Sequence, residues 1–199
     1  MLLRVIFGVL ATASLVGCVQ TKPDEAMSFI APPMQWDHHP EANEWTESTL
    51  TALSSKDQVL SERVPADIET WCPGYAEASV EERRAFWAGL LSAVAKYEST
   101  WNERASGGGG RWIGLMQIDP RSAANYGCEA TSVNALKDGE QNLECAVEIM
   151  STQVAKDGLV AGGGNRGIGR DWAPLRSSEK RSAMAEWTRQ QPYCKARKA

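Results

Sequence analysis

Between Ser79 and Ile118 the chain runs through a capped apolar helix that ends on an acid, a run of glycines, and an apolar segment broken by one amide. Ser79-Val80-Glu81-Glu82 is a capping box, in which the serine oxygen takes an orphan helix N–H while Glu82 reaches back to the Ser79 amide. At 100° per residue, Trp87, Leu91, Val94 and Glu98 fall within about 60° of one another. Glu98 therefore shares the apolar face of its helix and points toward protein or a cleft. Burial there disfavours the charged carboxylate and raises its pKa, which suits a proton donor.

Further helices are marked by their ends. Asp119-Pro120 sets an N-cap acid before an N1 proline, for a short helix ending at Tyr126-Gly127. Asp138-Gly139-Glu140-Gln141 repeats the capping logic for a helix carrying Leu143, Val147, Met150 and Val154, which Gly158 ends. Ser178 to Gln190 reads as a last helix bearing Met184 and Trp187. The glycines of Ser106 to Gly110 have no Lys-Ser or Lys-Thr after them, so they predict a mobile loop rather than a phosphate cradle. Residues 65–199 are thus predicted to form one mainly α domain with little or no β-structure.

The N-terminus predicts export. Arg4 precedes an apolar run too short to span a membrane, and Leu15-Val16-Gly17-Cys18 looks like the lipobox of bacterial lipoproteins. Residues 1–17 are read as the signal peptide, with Cys18 acylated. Val19 after the cysteine favours the outer membrane, facing the periplasm. Pro23, Pro32, Pro33 and Pro40, with no sustained period, predict that 18–64 is a lipid-anchored flexible tether, with at most a short helix around Trp45, Leu50 and Leu53.

Four cysteines remain besides Cys18, an even number in an exported chain, so two disulfides are expected. Of three connectivities we favour Cys128–Cys145, tying the short helix's exit to the long helix, and Cys72–Cys194, clamping the domain's ends. No CxxC spacing exists and the only histidines are His38 and His39, so no metal site is expected and the pair is read as solvated linker. With 21 Lys and Arg against 25 Asp and Glu, nucleic acid is a poor partner. The absence of histidine from the domain disfavours serine or cysteine hydrolase chemistry.

Tyr97-Glu98-Ser99-Thr100-Trp101-Asn102 followed by Gly114-Leu115-Met116-Gln117-Ile118 resembles the Glu-Ser and Gly-Leu-Met-Gln motifs of lytic transglycosylases with a lysozyme-like SLT domain, over roughly Phe86 to Asp157. The resemblance implies cleavage of peptidoglycan glycan strands without a cofactor, with Glu98 as acid and then base and a 1,6-anhydro product. It implies substrate contacts from Ser99, Gly114, Met116 and Gln117. Many members carry an Ala-Tyr-Asn motif after the long helix; here that stretch is glycine-rich, with Asn165 and no such tyrosine. Trp172-Ala173-Pro174-Leu175-Arg176 looks like an element of a subset of the family, and Trp172 is read as a stacking platform or a buried structural residue. A non-catalytic peptidoglycan-binding lipoprotein and a lysozyme-type hydrolase are the competing readings.

Overall fold

The structure is a computed structural model that describes residues 31–196. The signal peptide and Cys18 lie outside those residues. Six α-helices dominate: α1 (Ala42–Ser54), α2 (Ile68–Trp71), α3 (Val80–Glu98), α4 (Pro120–Tyr126), α5 (Gly139–Asp157) and α6 (Ser178–Gln190). A two-stranded hairpin, β1 (Ser106–Gly107) and β2 (Trp112–Ile113), is the β-sheet among the described residues. The fold is mainly α with a minimal sheet.

Helix α3 is central. Its capping box forms as written, with the Glu82 amide donating to Ser79 Oγ at 3.2 Å and the Ser79 amide to Glu82 Oε2 at 2.7 Å. Every residue from Ala85 to Ala95 is buried, so neighbours cover this helix on all sides over that stretch. Helices α1 and α6 both pack on α3, and α1 also packs on α5. The α5 cap is Asp138, which accepts from the Gln141 amide at 3.1 Å, and Gly158 ends the helix in the left-handed region at φ 64°.

The tether expected over 18–64 is corrected from residue 31 onward, because residues 31–64 are folded onto the helical core. Trp36 and Trp45 are fully buried and meet edge to face at 6.0 Å between ring centroids. The Trp36 indole N–H donates to Thr46 Oγ1 at 2.9 Å, and Leu53 and Leu60 are also buried. Trp45 abuts Gly139, where a Cβ would overlap its indole nitrogen. Ion pairs from Lys56 to Glu148, at 2.6 Å, and from Asp57 to Arg84 fasten the segment to α5 and α3. The apolar residues here are spread over turns and one helix, so no single period links them.

Disulfides join Cys72 to Cys194 and Cys128 to Cys145. The glycine run is likewise not a free loop. Gly107 pairs with Trp112 and Ser106 with Ile113 in the antiparallel hairpin, which turns through Gly108, Gly109 and Gly110.

Candidate active site

Glu98 is the last residue of α3, half-buried, with Leu91 and Val94 of its own face completely covered. Burial pushes its carboxyl up to about 7, against the opposing pull of Lys180 and Arg176. Both cations come from the segment at and before the start of α6. Ser99 caps the helix, and its hydroxyl donates to the Ala95 carbonyl at 3.3 Å.

The turn after Glu98 is strained. Thr100 and Trp101 both sit in the left-handed region, at φ 53° and 56°, which a β-branched residue rarely adopts. What holds it is the segment expected to be tether. The Trp101 indole donates to the Ser92 carbonyl at 2.9 Å, and its ring meets those of His38 and His39 at 4.6 and 5.9 Å. Ser92 Oγ in turn accepts from the Gln35 amide at 2.9 Å. Burial, followed by the neighbouring His38, lowers the pKa of His39 and favours a neutral ring in this stack. Both histidines thus stack against the Glu98 turn, His39 partly covered and His38 exposed to solvent, rather than lying in a free linker.

Gln117 sits in a second tight turn. Ile113 and Ile118 bridge through paired backbone hydrogen bonds of 3.1 and 2.9 Å, which forces the four residues between them to reverse direction. Gly114 takes φ 77° and Gln117 φ 49° to do so, and the Gln117 amide donates to the Gly114 carbonyl at 2.9 Å. Asn142, fully buried on α5, holds the turn from behind. Its side chain accepts from the Met116 amide at 2.9 Å and donates to the carbonyls of Ile113 and Leu136 at 3.0 and 2.9 Å. The helical periodicity of α5 gave no sign of this role, because Asn142 lies beside Leu143 with no partner near it in sequence.

Two expected glycan contacts are corrected by this packing, and for Trp172 the buried alternative holds. Met116 is buried, and so is Trp172, whose indole N–H donates to the Met116 carbonyl at 3.1 Å. Gly114 is buried too, and its missing Cβ makes room for the Leu136 carbonyl and Asn142 rather than for substrate. Ser99 and Gln117 remain half-buried and available.

The exposed aromatic of this region is Trp112, which no sequence motif marked. It is 45% exposed and lines a depression of about 90 Å³ together with Gln117, Ser122 and Asp171. Arg111 and Asp119 close one side through an ion pair of 2.7 Å. Asp171 accepts from the Tyr126 hydroxyl at 3.1 Å and from the Gln153 amide at 2.7 Å, while partial desolvation raises its pKa above the usual aspartate value. Among the described residues no group of three or more His, Cys, Asp or Glu side chains gathers to hold a metal ion.

The comparisons with known proteins agree with this geometry. The family model described as Transglycosylase SLT domain matches residues 76–186, more than half of the chain. Among solved structures, Bd0314 DslA in a wild-type form is similar at 28% identity and a TM-score of 0.74, covering 83% of this chain and 98% of that one. A glutamate-to-glutamine mutant of the same protein gives a TM-score of 0.75 at the same identity and coverage. No curated protein matches the chain. The mainly helical fold, the Glu-Ser and Gly-Leu-Met-Gln turns and the family match together place the chain in the SLT-domain lytic transglycosylase family.

Proposed function

We propose that this protein is a peptidoglycan lytic transglycosylase that cleaves the MurNAc-β-1,4-GlcNAc bond with Glu98 as its single general acid and base. The half-buried Glu98 carboxyl, raised to about 7, carries the reading, because a proton donor must hold its proton near neutral pH. Glu98 gives its proton to the glycosidic oxygen, the bond from that oxygen to C1 of the muramyl sugar breaks, and the leaving GlcNAc departs with a free 4-hydroxyl. The carbonyl oxygen of the muramyl acetamido group stabilises C1. The Glu98 carboxylate then takes the proton of the muramyl 6-hydroxyl as its oxygen bonds to C1, giving the 1,6-anhydro ring without water and restoring the acid. The charges that act on Glu98 are the cations Lys180 and Arg176, which is compatible with one carboxylate doing both proton transfers. Ser99 and Gln117 contribute glycan contacts, the amide both donating and accepting without charge.

Glu98→Gln keeps the side chain's shape and removes the proton. Digestion of purified sacculi should fall by at least roughly 10²–10⁴-fold. Mass spectrometry of the native protein's products should find anhydro-muropeptides; reducing ends instead would assign a lysozyme-type hydrolase, and undiminished digestion by the variant would remove Glu98 from the mechanism. A glycan substrate outside the cytoplasm fits a lipid anchor at Cys18, supported by Leu15-Val16-Gly17-Cys18. Cys18→Ser should then move the protein into the soluble fraction, and retention on envelopes through high salt and mild detergent would refute the anchor.

A further inference from the structure

We propose that Trp112 and Asp171 form a saccharide subsite that seats one N-acetylhexosamine unit of the glycan beside Gln117; this rests on the transglycosylase reading above. A pyranose ring offers an apolar C–H face and a rim of O–H and acetamide N–H donors, so its recognition needs a flat aromatic surface next to fixed acceptors. Trp112 supplies the surface, since it is 45% exposed where the other large rings among the described residues are packed into the core or half-covered. Asp171 supplies the acceptor. A carboxylate has lone pairs to spare after taking the Tyr126 hydroxyl and the Gln153 amide, and those two donors fix its orientation. Both line the same open depression as Gln117.

The hairpin is shaped to hold this arrangement. A Cβ on Gly107 would overlap Gln117 Oε1, and one on Gly108 would overlap the six-membered ring of Trp112. The glycines let the strand lie flat against both side chains, so the indole and the amide are oriented before substrate arrives. Gly107 also pairs with Trp112 across the hairpin, which ties the platform to the turn that carries Gln117. Preorganisation of this kind lowers the ordering cost of binding. Arg111, whose guanidinium lies 5.8 Å from the centre of the Trp112 ring, is paired with Asp119, which leaves Asp171 as the carboxylate to receive sugar donors.

The test uses the full chain carrying Glu98→Gln, which prevents turnover, and the N-acetylglucosamine tetramer as probe, which has neither peptide nor carboxylate. Calorimetric affinity should weaken roughly 5- to 20-fold with Trp112→Ala and roughly two- to tenfold with Asp171→Asn. Trp112→Phe should recover most of the affinity while abolishing the fluorescence change that the tetramer causes in the parent. Thermal midpoints should not move for the two Trp112 variants, which separates a binding role from a structural one. Unchanged affinity in Trp112→Ala, or a phenylalanine variant as weak as the alanine one, overturns the subsite. The underlying reading fails separately: undiminished sacculus digestion by Glu98→Gln alone would refute it, whatever the tetramer does at Trp112.

Discussion

Glu98 is set between burial, which favours its protonated form, and two cations, which favour the ionised one; burial wins and the pKa settles at about 7. Under the proposed mechanism the acid must be protonated to start the reaction, so kcat/KM should fall as pH rises above about 7, losing close to tenfold per pH unit once most of the group is ionised. Lys180 lies exposed on α6, with its ammonium 5.4 Å from the Tyr97 ring. Lys180→Met removes a cation that lowers the Glu98 pKa, so this alkaline limb should move to higher pH, and a pH–rate profile whose limb stays put or moves down would contradict the assignment. The partial burial of Glu98 was legible because helical phase depends on spacing alone. The exposure of Trp112 was not, because it depends on how a glycine run that looks mobile in sequence pairs back on Gly107. Met116 was misassigned to the cleft, and Trp172 left open between platform and core, for the same reason: both are apolar residues near a motif, and only the tertiary contact between the Trp172 indole and the Met116 carbonyl reveals them as core.

At the scale of elements, the capped helices were readable because each cap is a local hydrogen bond between residues close in sequence. The segment before them was not. Its anchors are long-range: Tyr75 donates to the Leu60 carbonyl at 2.8 Å, the Gln35 amide to Ser92, and the Tyr193 hydroxyl to the Pro33 carbonyl at 3.0 Å. Proline and the absence of a period therefore looked like disorder, while Trp36, Trp45, Leu53 and Leu60 were entering the core. A chain beginning at residue 65 should accordingly fail to fold cooperatively, because it uncovers the faces of α3 and α5 that α1 covers and removes the histidine stack behind Trp101. A chain beginning at residue 31 should retain a sharp thermal transition and the native circular dichroism. Were the shorter chain to unfold at the native midpoint, α1 would be an accessory rather than part of the fold.

For the whole molecule, the two disulfides do different work. Cys72–Cys194 spans a sequence separation of 122 and fastens the end of the chain to the segment that enters α3, where the Gly74 amide also donates to the Cys194 carbonyl at 2.9 Å and Thr188 Oγ1 to the Trp71 carbonyl at 2.7 Å. Cys128–Cys145 spans 17 residues and ties the exit of α4 to α5, one turn along from Asn142. In the chain-entropy account, closing the longer loop contributes about 5 kcal/mol and the shorter about 3 kcal/mol, before any native strain. Replacing Cys72 and Cys194 together by alanine should therefore lower the thermal midpoint more than replacing Cys128 and Cys145. The order for activity should reverse among molecules that remain folded, because loosening α5 near Cys145 reaches Asn142 and through it the Gln117 turn, whereas the Cys72–Cys194 bridge sits among Trp71, Gly74 and Thr188. Thermal denaturation paired with KM on sacculi at a temperature where both variants are folded separates the two effects. If the Cys128 and Cys145 variant proved the less stable with an unchanged KM, loop length would not govern the stability and α5 would not transmit strain to the site.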